Sequence, residues 1–409
     1  MKSTTRPILF SFPRMLAVAA PMLLVATAIA AAQTETVLYN YPRPNGDSFY
    51  SNSALVQDAA GNFYGTTRQG GVYNLGTIVK LAADGTVTQF HSFSGAPNDG
   101  DDPLGGLAID SRGNLYGTTA NGGAHNAGTI FKISPAGELK LLYEFTDGAD
   151  GGLPSTGLLF DRGNLYGIVG SGDLPYGAIF ELQSDSTFKI LYRFKGGTES
   201  SPNSRLLRDT DGNLYGTFTY TNTNPGGVFK LAPNGQLSIL YKFTGGADGA
   251  APTGGLIRGA NGDFFGTASL GGRISASGKC VNGCGVVFHL TADGTETVLH
   301  AFDGQKGGLF PLGGVVRDLS GNFYGTTSEG GDLTCRYLLG GQYGYLHGCG
   351  VVFKLWRGGK FTVLHNFSLG PQDGFFPTVG LSIDSAQNVY GTTWLGGTEG
   401  EGVIFEIPH

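Results

Sequence analysis

Charge is scarce in this chain: Asp, Glu, Lys and Arg together make up 14% of it. Only two Trp, three Met and four Cys are present. Past residue 32 no apolar run approaches the roughly 20 residues a membrane helix needs. Low charge beside 11% aromatic residues excludes charge-driven disorder. The formal charge is -6, and the first 32 residues carry three positives (Lys2, Arg6, Arg14) and no negatives, leaving -6 - 3 = -9 for the rest. So acidic a body is a poor partner for nucleic acid. What the chain has in excess is glycine, 71 in 409 residues, against a usual share of about 7%. That excess disfavours helices, and its lack of a strict three-residue period excludes collagen.

Residues 1–32 place Lys2, Arg6 and Arg14 ahead of the apolar run Met15–Ala32, which ends Ala30-Ala31-Ala32. A basic stretch, an apolar stretch and a small-residue A-x-A site, in that order, predict a signal peptide cleaved near Ala32. The expectation is a secreted or periplasmic protein, free of the membrane after cleavage and without a surface anchor following His409. In such a compartment Cys280, Cys284, Cys335 and Cys349 are expected to form two disulfides. Their C-x3-C and C-x13-C spacings match no standard zinc site, and neither a metal nor another cofactor is expected.

The segment Gly61-Asn62-Phe63-Tyr64-Gly65-Thr66-Thr67 recurs with its aromatic marker at Tyr64, Tyr116, Tyr166, Tyr215, Phe265, Tyr324 and Tyr390. Each unit of about 50 residues holds four short apolar runs, a to d, separated by Gly, Asn, Asp or Pro. Such runs predict strands, and four meandering strands per unit predict a propeller blade. The fold class is therefore all-β: a seven-bladed β-propeller of four-stranded antiparallel blades. The expected blades are 53–93, 104–145, 155–194, 203–243, 253–302, 312–367, and 378–407 completed by 35–41. The last unit lacks run d, and a lone d-type run, Thr36-Val37-Leu38-Tyr39-Asn40-Tyr41, stands near the other end. A ring uses that permutation to leave no unpaired edge. Paired glycines opening run a, such as Gly105-Gly106, suit strands crowded around the axis.

The pattern GNLYGTT…GG…GTIFKL…G…VLYxF resembles the GloVer tandem repeat of Gloeobacter and Verrucomicrobia. The resemblance covers essentially all of residues 33–409 and implies an exported bacterial protein, with no activity attached to it. The a–b block is also similar to NHL-type propeller repeats, whereas the GH and WD signatures of WD-repeat propellers are absent.

In a meandering blade the b–c loops and the d-to-a crossovers share one face. They vary in length, so function is expected there. Blade 5 takes 18 residues from Thr267 to Gly285, and blade 6 takes 23 from Thr327 to Gly350, where other units take eight or nine. The expected pairings are Cys280–Cys284 and Cys335–Cys349, because Cys284 and Cys349 precede strand c in adjacent blades, too far apart to bridge. The blade 6 insertion offers Arg336, Tyr337, Tyr343, Tyr345 and His347; Trp394, Tyr176 and His125 fall on the same expected face. Planar amphipathic side chains in tethered loops suit a carbohydrate or protein ligand, although the same rings could simply pack the loops together. His91, His300 and His365 take the place of Tyr in run d and read as structural. No HExxH, G-x-S-x-G or Walker loop is present, and Asp209-Thr210-Asp211-Gly212-Asn213 lacks the later ligands of a calcium loop. The expectation is a monomeric binding or scaffold propeller without catalytic residues. The alternative, a glycan hydrolase or lyase, requires two carboxylates converging at the axial channel.

Overall fold

The computed structural model describes residues 35–42, 53–197, 201–219, 225–274, 280–336 and 347–409. Seven four-stranded antiparallel sheets form a ring, each running a, b, c, d from the axis outward. In blade 2 these are Ala108–Ile109, Leu115–Thr119, Thr129–Ile133 and Leu139–Glu144. The last sheet closes as expected. Thr36–Asn40 pairs antiparallel with Val403–Ile407, Thr36 opposite Glu406 and Asn40 opposite Val403. The described residues contain no helix.

The recurring motif has a physical explanation in each of its letters. In blade 2 the Asp110 carboxylate ties the a–b turn together: Oδ1 accepts from the backbone N–H groups of Arg112 and Asn114, Oδ2 from Asn114 Nδ2 and the Tyr116 hydroxyl. The same hub recurs on Asp58, Asp209, Asp318 and Asp384. A carboxylate accepting several hydrogen bonds is held ionised. Although burial opposes it, these bonds lower the Asp110 pKa, while burial and the Asp110 bond raise Tyr116 to about 12. The calcium-like run at Asp209 is one of these hubs. The glycine after the tyrosine is required by strand c: a Cβ on Gly117 would stand 2.5 Å from Phe131 Cζ, and one on Gly325 2.5 Å from Phe353 Cζ.

Cores lie between neighbouring blades. One joins Ile130 and Phe145 of blade 2 to Leu165 and Phe180 of blade 3. The last aromatic of each strand d meets the strand c phenyl of the next blade edge-on, as in Phe93–Phe131 at 5.3 Å and Phe367–Phe405 at 5.2 Å. This is a favourable ring geometry. At the seam between the last and first blades Tyr41 packs with Val79 instead.

Strand a is shorter than its sequence run suggests, two or three residues in every blade. The glycines ahead of it turn towards the neighbouring blade. A Cβ on Gly105 would lie 2.5 Å from the Thr156 carbonyl oxygen, and one on Gly254 2.5 Å from the Gly314 nitrogen. Crowding at the axis explains both the paired glycines and the truncated strands.

Candidate functional site

The crossovers and the b–c loops hydrogen-bond to one another. Gly100–Asp101, in the crossover after blade 1, pairs with Asn121–Gly122 in the b–c loop of blade 2. Gly374–Phe375 pairs likewise with Leu395–Gly396, and single bridges join Ala250 to Leu270 and Leu309 to Glu329. Loop backbone away from water needs such partners. This face is therefore braced, whereas the opposite face consists of short turns organised by the Asp hubs.

The two long insertions carry the disulfides Cys280–Cys284, with Cα atoms 5.1 Å apart, and Cys335–Cys349, at 5.6 Å. All four cysteines are buried. Arg336 and His347 flank the blade 6 loop and are exposed. The His347 backbone N–H donates to Glu329 Oε2 at 2.8 Å, and burial pushes the Glu329 carboxyl upward. Tyr337, Tyr343 and Tyr345 lie outside the described residues. Tyr176 is 48% exposed and lies across Gly196, and His125 is exposed. Trp394 is half-buried, its ring 5.5 Å from that of Phe376. No hydrogen bond or ring contact joins any two of His125, Tyr176, Arg336 and His347. They come from blades 2, 3 and 6.

The histidines of run d are held by the fold. His91 Nε2 lies 3.2 Å from Asp99 and His365 Nε2 3.1 Å from Asp373, the bond that Tyr143 makes to Asp150. His300 stacks on Phe361 at 3.9 Å, and burial drives its pKa down to about 4. Among the described residues one group presents three ligand atoms within 4.8 Å of one another: Glu35, His365 and Asp373. The Glu35 side chain is 5% exposed, and its Oε1 has no hydrogen-bond partner. Its pKa rises to about 7, chiefly by burial. A carboxyl there can share a proton with its neighbours, which the sequence reading did not anticipate.

An axial channel of about 490 Å³ runs between the seven innermost segments. Backbone, glycine, Ser, Thr and aliphatic side chains line it together with the amides of Gln57 and Asn203, and no carboxylate does so among the described residues. The hydrolase alternative placed its two carboxylates here, and the channel wall does not supply them. Its one charged lining side chain is Arg205.

A closed ring of seven blades, regular on one face and looped and disulfide-tethered on the other, defines a β-propeller of the loop-displaying kind. Its sequence makes the relationship more specific. The profile of the Gloeobacter/Verrucomicrobia repeat matches residues 27–227 and 177–337, and the chain belongs to that family. No curated protein matches it. Among solved structures it is similar to the extracellular domain of the hybrid two-component system protein BT3049 from B. thetaiotaomicron (TM-score 0.56, 13% identity, 92% of this chain and 41% of that one). It is also similar to the extracellular domain of BT4673 from the same organism (0.55, 13%, 91% and 40%) and to a puromycin hydrolase (0.53, 13%, 87% and 52%). The chain thus spans about two fifths of the length of the two B. thetaiotaomicron domains. At these identities the likeness establishes the fold.

Proposed function

We propose that this protein is an exported binding propeller that presents its b–c loop face to a glycan or protein ligand. The observation that carries the reading is the asymmetry of the ring: both long insertions, and both disulfides, fall on one braced face. Disulfides belong to oxidising compartments, in keeping with a leader at residues 1–32. The extracellular propellers of B. thetaiotaomicron regulators support a role outside the cytoplasm. Exposed Tyr176, Arg336 and His347, with the tyrosines of the blade 6 insertion, supply amphipathic contact area of the kind that dominates binding hot spots.

The test is a screen of residues 33–409 against immobilised polysaccharides and a peptide library, followed by Tyr343→Ala, Tyr345→Ala and Trp394→Ala. Binding should fall about tenfold or more for the combined variant, and Tyr343→Ala with Tyr345→Ala should leave the melting temperature nearly unchanged. Trp356 is 39% exposed beyond strand c, towards the opposite face, and Trp356→Ala is the control that should bind normally. Loss of folding without a separate loss of binding would assign these rings to packing.

A further inference from the structure

One position in the repeat is broken only once. The residue preceding the conserved aliphatic of run a is Gly106, Gly157, Gly255, Gly314 and Gly380 in five blades and Ala54 in a sixth. In blade 4 it is Arg205. All seven line the axial channel except that the glycines and Ala54 offer it almost no side chain. Arg205 therefore extends into a space that six blades keep clear.

Its surroundings do not neutralise it. Arg205 is exposed to the water of the channel. Nε donates to the Leu158 carbonyl oxygen of blade 3 at 3.1 Å. This bond fixes the plane of the guanidinium and leaves both Nη groups without a protein acceptor among the described residues. No carboxylate shares the channel wall. An exposed guanidinium needs no protein acceptor for stability, but one held in a concave wall presents an unneutralised positive charge to whatever enters the channel. A channel filler alone would not need the charge, since an aliphatic side chain of equal length would serve.

We propose that the axial channel is an anion-binding site in which Arg205 receives the carboxylate of a small organic acid or of an acidic sugar. The guanidinium fork matches a carboxylate through two parallel N–H bonds. The neighbouring Ser155 is exposed and offers a hydroxyl on the same wall. The channel volume is in the range of small-molecule sites. This site is separate from the loop face and stands whether or not that face binds a glycan or a protein.

The experiment is isothermal titration calorimetry at low ionic strength on residues 33–409, using sodium acetate, sodium glucuronate and inorganic phosphate as probes, with glucose as the uncharged control. Acetate and glucuronate should bind, and glucose should not. Arg205→Met, which keeps the length and loses the charge, should weaken the carboxylates about 10- to 100-fold. Arg205→Lys should retain part of the affinity, and Ser155→Ala should weaken binding while leaving Arg205 in place. Melting curves for each variant separate lost binding from lost folding. Phosphate binding more tightly than either carboxylate would overturn the ligand class. No binding by any of the three anions, or equal binding by folded Arg205→Met, would overturn the site.

Discussion

The carboxylates of Glu35 and Asp373 meet at a single imidazole nitrogen, His365 Nε2, at 3.6 and 3.1 Å. Glu35 immediately precedes the strand that completes the last blade, while His365 and Asp373 belong to blade 6 and its crossover. In five blades the position of Glu35 is apolar: Val87, Leu139, Phe188, Leu237 and Phe361. Only Glu35 and Glu296 place a carboxyl there. Both are pushed up to about 7, mainly by burial, each with an aspartate nearby that pushes the same way.

A pH dependence of stability follows from these two groups. A carboxyl whose folded pKa is raised gives stability that is fully present below its ordinary value, 4.5, and is lost as pH rises through about 7. At about 1.4 kcal/mol for each tenfold change in proton affinity, Glu35 accounts for roughly 3 kcal/mol. Thermal melts should therefore show a lower melting temperature at pH 8 than at pH 5, and Glu35→Gln should flatten that difference. An unchanged pH profile in the variant would remove Glu35 from the account.

Removing residues 33–42 should open the ring. Val37, Leu38 and Tyr39 pack into the cores on either side of the closing strand, and Tyr41 is 1% exposed. Large apolar side chains contribute about 1.5–3 kcal/mol each when buried, against a total of about 5–15 kcal/mol for a typical domain. The truncated protein is expected to aggregate or to melt far lower. A truncation as stable as residues 33–409 would show that Val403–Ile407 tolerates a bare edge.

Substituting a turn hub isolates its contribution. Asp209 accepts four hydrogen bonds, from the backbone N–H groups of Asp211 and Asn213, Asn213 Nδ2 and the Tyr215 hydroxyl. Asp209→Ala leaves several of these donors unsatisfied and should destabilise by about 1.5–3 kcal/mol in urea. Because the site is a turn and not a cation loop, added calcium should leave the wild-type midpoint where it was.

Gly117→Ala forces the Phe131 ring to move, since the added Cβ would stand 2.5 Å from Cζ. Overpacking of this kind typically destabilises by about 1–3 kcal/mol. Blade 1 carries Val79 where the others carry Phe. Adding Phe131→Val to Gly117→Ala should therefore give a smaller loss than the two single changes summed. Additive losses would separate the two residues.

Non-reducing peptide mapping should recover Cys280–Cys284 and Cys335–Cys349. Closing the 15-residue loop between Cys335 and Cys349 should contribute about 3 kcal/mol on the chain-entropy account. Cys335→Ser paired with Cys349→Ser should lower the melting temperature without disturbing the other bridge.

The repeat made most of this architecture readable, because a residue that returns seven times reports a shared physical need. The tyrosine of GNLYGTT returns because it anchors a turn, and its glycine because a phenyl ring lies over it. Ring closure was legible for the same reason: strand types could be counted. What recurrence hides is the single exception. Arg205 is plain once the seven inner positions are aligned, but nothing in linear sequence says that this position faces the axis. Glu35 escaped notice similarly, since its partners His365 and Asp373 are brought to it only by the closing of the ring. The loop residues were placed on their face by topology, while their grouping depended on loop conformation that no periodicity encodes.

The closing pair also sets the timing of assembly. A chain emerging amino-terminus first presents Thr36–Asn40 at the outset, whereas Val403–Ile407 comes out after every other strand. Six blades can fold on nearest-neighbour contacts as they appear, but the first strand must wait through nearly the whole of translation. During that interval its backbone N–H and C=O groups are an open invitation to other chains. Folding of this chain therefore depends on keeping one five-residue segment single until its partner arrives, and conditions that slow delivery of the last blade should favour strand exchange between chains.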